Sequence, residues 1–294
     1  MIANTCRPTG YETLWPWTRK RCSIYLYRTR TMAKKQACMT QRDAQDVGPI
    51  DYALRDRLVF SLRKYLTAKG YVETILPNEV DYFIRGAGAI RTSTGHFLRT
   101  NTEPEIWDSF TLPNRLFTFA TFFRKESPSS LIHKEEFMVL DTYIRNPLAQ
   151  DRQSSVHLLR WLRFLESELK LPRLSKLPIL QVDHARFEQW KNSDRREHEP
   201  SIVMVTNYPE GESFFDAKST KKGRTKKGEF FIVDGDISWE IGVFGFVGRN
   251  LNKKAQLCNY KFVTNPRDYE NKIFGLCVGV ERLALAYKRF SCIN

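Results

Sequence analysis

A chain of 294 residues, 41% hydrophobic and 27% charged, has ordinary globular composition and length for one large core or two modest domains. Its net charge of +14 favours an anionic partner, yet residues 1–42 hold nine Lys and Arg against one acid, Glu12, so the folded remainder is only mildly basic. Six cysteines without CxxC spacing argue against a zinc site or disulfide framework and fit a reduced, cytoplasmic setting, and no apolar run approaches the length of a membrane span.

Residues 1–45 read as a basic, disordered extension, and residues 46–294 as the folded domain. The Arg-rich stretch RPTGYETLWPWTRKRCSIYLYRTRTMAKK loosely resembles an organelle presequence. Met32 and Met39 offer alternative starts, so a targeting or RNA-binding tail and an over-long gene model both stand. In residues 51–69, Leu54, Leu58, Leu62, Tyr65 and Leu66 recur at helical spacing, and Gly70 stops the helix. YVETILP then reads as a short strand closed by Pro77. Short strands follow near HFLRT, and a helix starts near EPEIWDSF.

Residues 115–124 alternate, with Phe117, Phe119 and Phe123 on one face and Thr118, Ala120 and Arg124 on the other. After a Ser-Pro turn, FMVLDTYI alternates again, giving a long-looped antiparallel hairpin. Residues 151–170 carry Leu158, Leu159, Leu162, Leu165 and Leu169 at helical spacing. PSIVMVTNYP reads as a strand ending at Pro209. The run KSTKKGRTKKGE, with six basic residues, is either a solvated hairpin loop or a phosphate contact beside a site. Strands return at EFFIVD and DISWEIGVFGFV. In the latter, Ile237, Trp239, Ile241 and Val243 share a face and Glu240 takes the other. FGLCVGVERLALAYKRF runs from a strand into a helix beginning near Glu281. Strands in series around a few helices indicate an α+β fold with a mostly antiparallel sheet.

Three charges share a logic. Arg124 ends a strand, Glu240 faces away from an apolar set, and Arg282 sits in a helix's first turn. An antiparallel sheet can bury one face and offer the other to a ligand. A helix N-terminus with an adjacent Arg suits phosphate, a carboxylate on the same floor suits Mg²⁺, and Phe137 can stack on a flat base. Each has an ordinary alternative, as a surface ion pair or a solvent-facing charge. Together they describe a nucleoside triphosphate on an open sheet, in a chain with neither GxxxxGK[ST] nor GxGxxG.

These residues resemble the catalytic domain of class II aminoacyl-tRNA synthetases over about residues 50–292. KGYVETILP is similar to motif 1, FRKE with HKEEFMVLDTY to motif 2, and GLCVGVERLALAY to motif 3. RTNTEPEIWDSF looks like the segment bordering the amino-acid pocket. VTNYPEGESFF and SWEIG resemble blocks of the aspartyl, asparaginyl and lysyl branch, and parts of motifs 2 and 3 look like pyrrolysyl-tRNA synthetase. The resemblance implies ATP bent on the sheet, with Arg124 on the α-phosphate and His133 near the γ-phosphate. Phe137 and Arg282 sandwich adenine, and Glu136 holds a matching motif 2 place in the ATP site. Glu126 fixes the adenine end or the substrate amine, and Glu103 and Glu105 join it around the amino acid. Glu240 binds Mg²⁺. An amino-acid carboxylate attacks the α-phosphorus, and motif 1 forms a homodimer interface.

The chain ends twelve residues after Arg282, and the residues before motif 1 are too few and too basic for an OB-fold. The expectation is therefore a synthetase-like ligase without an anticodon-binding domain. After Glu240, EIGVFGFVGRN puts Gly245 one place late and Arg249 two places late against the family pattern, and Glu103 stands where a small residue is common. Three readings follow. One charges the acceptor end of a tRNA. Another is a free-standing paralogue that ligates an amino acid to a protein, a carrier protein or a small-molecule amine. The third is a non-catalytic regulatory pseudo-synthetase.

Overall fold

In the computed structural model, which describes residues 49–84, 88–108, 114–125, 136–191, 199–209, 227–235, 237–246, 257–259 and 272–291, the first leucine series forms helix α1, Tyr52–Ala68. Asp51 caps it, its Oδ1 accepting the Leu54 N–H at 2.9 Å. Gly70, at φ +76°, takes the left-handed conformation that ends it. Leu54, Leu58, Leu62 and Leu66 are buried. The N-terminal extension lies outside the described residues, as does most of the basic run.

The main sheet has eight strands. In chain order they are β1 (Val72–Glu73), β5 (Arg115–Phe123), β6 (Glu136–Arg145), β7 (Ile179–Asp183), β8 (Ser201–Thr206), β9 (Gly228–Asp234), β10 (Ile237–Phe246) and β12 (Ile273–Gly279). In space they run β1-β5-β6-β12-β10-β9-β8-β7. The five central pairings are antiparallel, whereas β1 with β5 and β7 with β8 are parallel. Two ribbons stand apart: β2 (Glu79–Val80) with β4 (Phe97–Leu98), and β3 (Phe83–Ile84) with β11 (Leu257–Cys258). Among the described residues the α-helices after α1 are α2 (Glu103–Asp108), α3 (Ser154–Leu169), α4 (His184–Lys191) and α5 (Val280–Ser291).

One sheet face packs on α1, α3 and α5. Phe117 from β5, Leu140 and Ile144 from β6, and Phe274, Leu276 and Val278 from β12 join Leu62, Leu162 and Tyr287 in one core. The other face is partly covered as well. Thr118, Ala120 and Phe122 are all buried, so the strand pair expected to lie open carries a roof at this end.

The strand β10 departs from simple alternation. Glu240 pairs with Phe231 and Gly242 with Phe230, leaving Ile241 as the extra residue of a β-bulge. Side-chain parity reverses there. Trp239 and Ile241 enter the core before the bulge, and Phe244 and Phe246 enter it afterwards. The expected core position of Val243 is thereby corrected. Val243 pairs with Cys277 and Glu229, on the face opposite the helices.

Candidate active site

The strand β5 ends one residue before Arg124, and β6 returns alongside so that Phe122 registers with Phe137 and Phe123 with Glu136. The Arg124 guanidinium carbon lies 5.4 Å from the Phe137 ring centroid and 5.6 Å from that of Phe122. Stacking on two rings fixes the fork's direction. Arg124 Nη2 donates to the Thr100 carbonyl at 3.1 Å. Its Nε is buried without a hydrogen-bond partner among the described residues. Glu136 is exposed at the mouth of the hairpin.

Strand register places Thr118, Asp141, Cys277, Val243, Glu229 and Val205 in one row across β5, β6, β12, β10, β9 and β8. Asp141 is 2% exposed. Its Oδ2 accepts from the Thr102 hydroxyl, which lies 3.0 Å from the Tyr143 hydroxyl. Burial pushes the Asp141 carboxyl above its usual range, against the pull of the Cys277 thiol, Thr102, Arg124 and Arg99. The Asn101 side-chain amide and the Thr118 hydroxyl are buried without partners among the described residues. Buried polar atoms rarely stay unpaired, and a polar ligand on this row would complete them.

The segment over that row is held by Arg99, whose side chain is fully buried. Its Nε donates to the Pro77 carbonyl at 2.7 Å, Nη1 donates to the Asn101 carbonyl at 3.0 Å, and Nη2 lies 2.8 Å from Glu105 Oε1. The other Glu105 oxygen accepts from the Tyr82 hydroxyl at 2.7 Å. Glu105 is therefore engaged with its own chain rather than pointing free into a pocket.

At the start of α5, Glu281 accepts the Met138 N–H with both oxygens, at 3.0 and 2.9 Å. The last β12–β6 pair is Gly279 with Val139, so this carboxylate extends the ladder by one step. It ties the first turn of α5 to the strand that carries Phe137. Arg55 of α1 lies 3.6 Å from it, and burial raises the Glu281 carboxyl. The next residue, Arg282, donates through Nη1 to the Glu240 carbonyl at 3.0 Å and sits 3.4 Å from Glu240 Oε2.

The remaining carboxylate of the row, Glu229, accepts from the Tyr208 hydroxyl at 2.6 Å through Oε2. Its Oε1 lies 2.5 Å from Lys227 Nζ. Burial and the Glu240 charge raise the Glu229 carboxyl, while Lys227 and Tyr208 oppose the shift. Lys227 is itself 8% exposed, with its ammonium 4.3 Å from the Tyr208 ring centroid. The last lysine of the basic run is thus an interior residue, and not part of a solvated loop.

The structure therefore brings Arg124 to Phe137, brings Arg282 to Glu240, and links the two pairs through Glu281. Glu126, His133 and Arg249 lie outside the described residues, as does the Glu103 side chain. Sequence reading missed Asp141, Glu229, Lys227, Arg99 and Thr102. A divalent cation held by Glu229 and Glu240 does not fit the present donor arrangement, because both Glu229 oxygens already take donors and Glu240 faces Arg282. Among the described residues no group of three or more His, Cys, Asp and Glu is arranged as a metal cage. A cavity of about 690 Å³ lies at the β7 edge, lined by Val182, Phe187, Trp190 and Val203, away from the Arg124 pair.

Neither a family model nor a curated protein matches the chain. Solved structures do. Asparaginyl-tRNA synthetase from Pyrococcus horikoshii, complexed with asparaginyl-adenylate, aligns with TM-score 0.60 at 14% identity, over 81% of this chain and 64% of that one. The Entamoeba histolytica asparaginyl-tRNA synthetase with asparaginyl-adenylate aligns with TM-score 0.59 at 14% identity, over 86% and 66%. The same Entamoeba synthetase, in a separate structure, gives 0.60 at 15%, over 86% and 67%. The fold is the α+β core of class II aminoacyl-tRNA synthetases, and the chain spans about two thirds of these neighbours' length.

Proposed function

We propose that this chain activates an amino acid with ATP, releasing pyrophosphate and forming an aminoacyl-adenylate. The observation that carries the reading is the Arg124 fork, stacked on Phe122 and Phe137 beside the buried, unpartnered Asn101 amide and Thr118 hydroxyl, on a fold shared with adenylate-bound synthetases. In this reading the substrate carboxylate attacks the α-phosphorus, and Arg124 offsets charge at the phosphoryl oxygens. Arg282 and Phe137 hold the base, and Glu281 sets their spacing. Asn101, Thr118 and Asp141 contact the amino acid. Such a reaction needs position and charge more than a protein nucleophile. ATP enters as its Mg²⁺ complex, in which the ion keeps waters and phosphate oxygens as ligands.

We further propose a homodimer formed through α1 and β1, acting in the cytoplasm and handing the acyl group to a tRNA or to another acceptor. ATP–pyrophosphate exchange with folded protein, Mg²⁺ and a panel of standard and non-standard amino acids tests activation. At least one amino acid should support exchange, and Arg124→Ala should lower it by about 100-fold or more, the loss typical of a transition-state charge contact. A silent panel refutes activation. Acid-stable labelling of protein in lysate, with no label in RNA, would exclude tRNA as the acceptor.

A further inference from the structure

Two acidic side chains stand near one another on the ligand face, Glu229 and Glu240, and each already has a cation of its own chain. Arg282 Nη1 lies 3.4 Å from Glu240 Oε2, and Lys227 Nζ lies 2.5 Å from Glu229 Oε1. We propose that Lys227 is the resident counter-cation of Glu229. Its ammonium occupies the Glu229 oxygen that a divalent ion would otherwise take, so this face recruits no protein-bound metal of its own.

Burial makes this arrangement more than a surface pair. The Lys227 side chain is 9% exposed and that of Glu229 is 15% exposed, where a lone charge on either would be costly. Tyr208 locks the pair from two sides. Its hydroxyl donates to Glu229 Oε2 at 2.6 Å, and its ring lies 4.3 Å from the lysine ammonium. Backbone geometry sets the reach. Lys227 directly precedes β9, and Glu229 is the second residue of that strand, in register with Val243 of β10 and Val205 of β8. Residues two apart near a strand's start point to the same side, which puts ammonium and carboxylate over the same face. With Lys227 on Glu229 and Arg282 on Glu240, each of these two carboxylates already has a cation where a divalent ion would bind. Hard cations select sites by carboxylate count and free oxygens.

This inference rests on the reading that the face binds ATP, but its test needs no nucleotide. Mn²⁺ binding is followed by electron paramagnetic resonance on the full chain without ATP. Wild type and Lys227→Arg should bind Mn²⁺ weakly at this face. Lys227→Met releases Glu229 Oε1 and should tighten one Mn²⁺ site by at least about 10-fold, and Lys227→Met with Glu229→Gln should lose the gain. Equal Mn²⁺ affinity in wild type and Lys227→Met would overturn the proposal, and so would a gain that survives Glu229→Gln. Circular dichroism checks the fold of each variant. If Lys227→Met does not fold, wild type decides: a stoichiometric Mn²⁺ site abolished by Glu229→Gln overturns the proposal, and its absence supports it. Failure here leaves the adenylation reading standing, because exchange with Mg²⁺–ATP is measured separately.

Discussion

Asp141 shows what a single side chain contributes when a strand passes under a site. It sits on the face of β6 that also carries Phe137, Val139 and Tyr143, and the roof segment from Arg99 to Thr102 excludes water from it. Burial raises its carboxyl above the usual carboxylate range. A raised folded-state value means that the native protein keeps a proton that the unfolded chain has already released. The contribution of this group to stability is therefore most favourable in acid, and it declines as pH rises from the ordinary aspartate value through the folded one. Asp141→Asn keeps an acceptor for the Thr102 hydroxyl and removes the titration. Urea unfolding from pH 4 to pH 8 should show the two proteins close together in acid, with the variant gaining on wild type toward neutral pH. A gap that stays constant, or that moves the other way, would mean that the carboxylate is held charged by Arg99 and Arg124.

At the scale of elements, the bulge in β10 decides which residues reach the ligand face. If the strand alternated strictly through Ile241 with no bulge, Phe244 and Phe246 would share the side of Glu240 and leave the core. Gly242 follows the bulge closely, and a Cβ there would lie 2.4 Å from the Cys277 carbonyl oxygen on β12. The obstacle is central backbone, which has no flexible end to move. Gly242→Ala should therefore cost about 2–3 kcal/mol and lower Tm by roughly 5–10 °C in a thermal melt followed by circular dichroism. An unchanged melt would show that the strands separate freely at this point. The bulge also marks where sequence reading stopped working. Helices α1, α3 and α5 and the β5–β6 hairpin were legible because their apolar spacing is regular and their ends carry Gly or polar turns. One inserted residue leaves no such trace, so Val243 was assigned to the wrong face. The β7–α4 unit was not read, since an edge strand with Leu180 half exposed lacks a clear alternating face. In the site, Arg124, Glu240 and Arg282 stood out as charges interrupting apolar patterns. Glu229 was hidden at the end of a basic run, and Asp141 read as one polar residue among alternating ones. Only the strand register places them in a common row.

On the whole molecule, four of the six large apolar side chains exposed among the described residues fall between Tyr52 and Ile75, while Leu148 and Leu180 lie elsewhere. Phe60 is 68% exposed, Val72 49% and Ile75 90%. Phe60 lies one turn before Arg63, whose guanidinium meets Glu73 of β1 at 2.8 Å, so α1 and β1 are held together beneath them. The strand β1 is also the outer strand at its end of the sheet, paired on one side with β5. Large apolar side chains beside a strand edge that pairs with no other described strand are a poor surface for a lone copy in water, and single-copy proteins blunt such edges with charge or cover. A second copy of the chain, meeting the first through the same segment about a two-fold axis, would bury them on both sides at once. Sedimentation equilibrium of the full chain at micromolar concentration should therefore report a dimer. Phe60→Glu with Ile75→Glu places like charges opposite each other across that axis, and should weaken association by at least about 100-fold, the loss expected from removing a pair of central apolar anchors. Both side chains point to solvent within one copy, so the variant's circular dichroism spectrum should match that of wild type. A wild type that sediments as a monomer would overturn the dimer, and a variant that remains dimeric would move the interface away from α1 and β1.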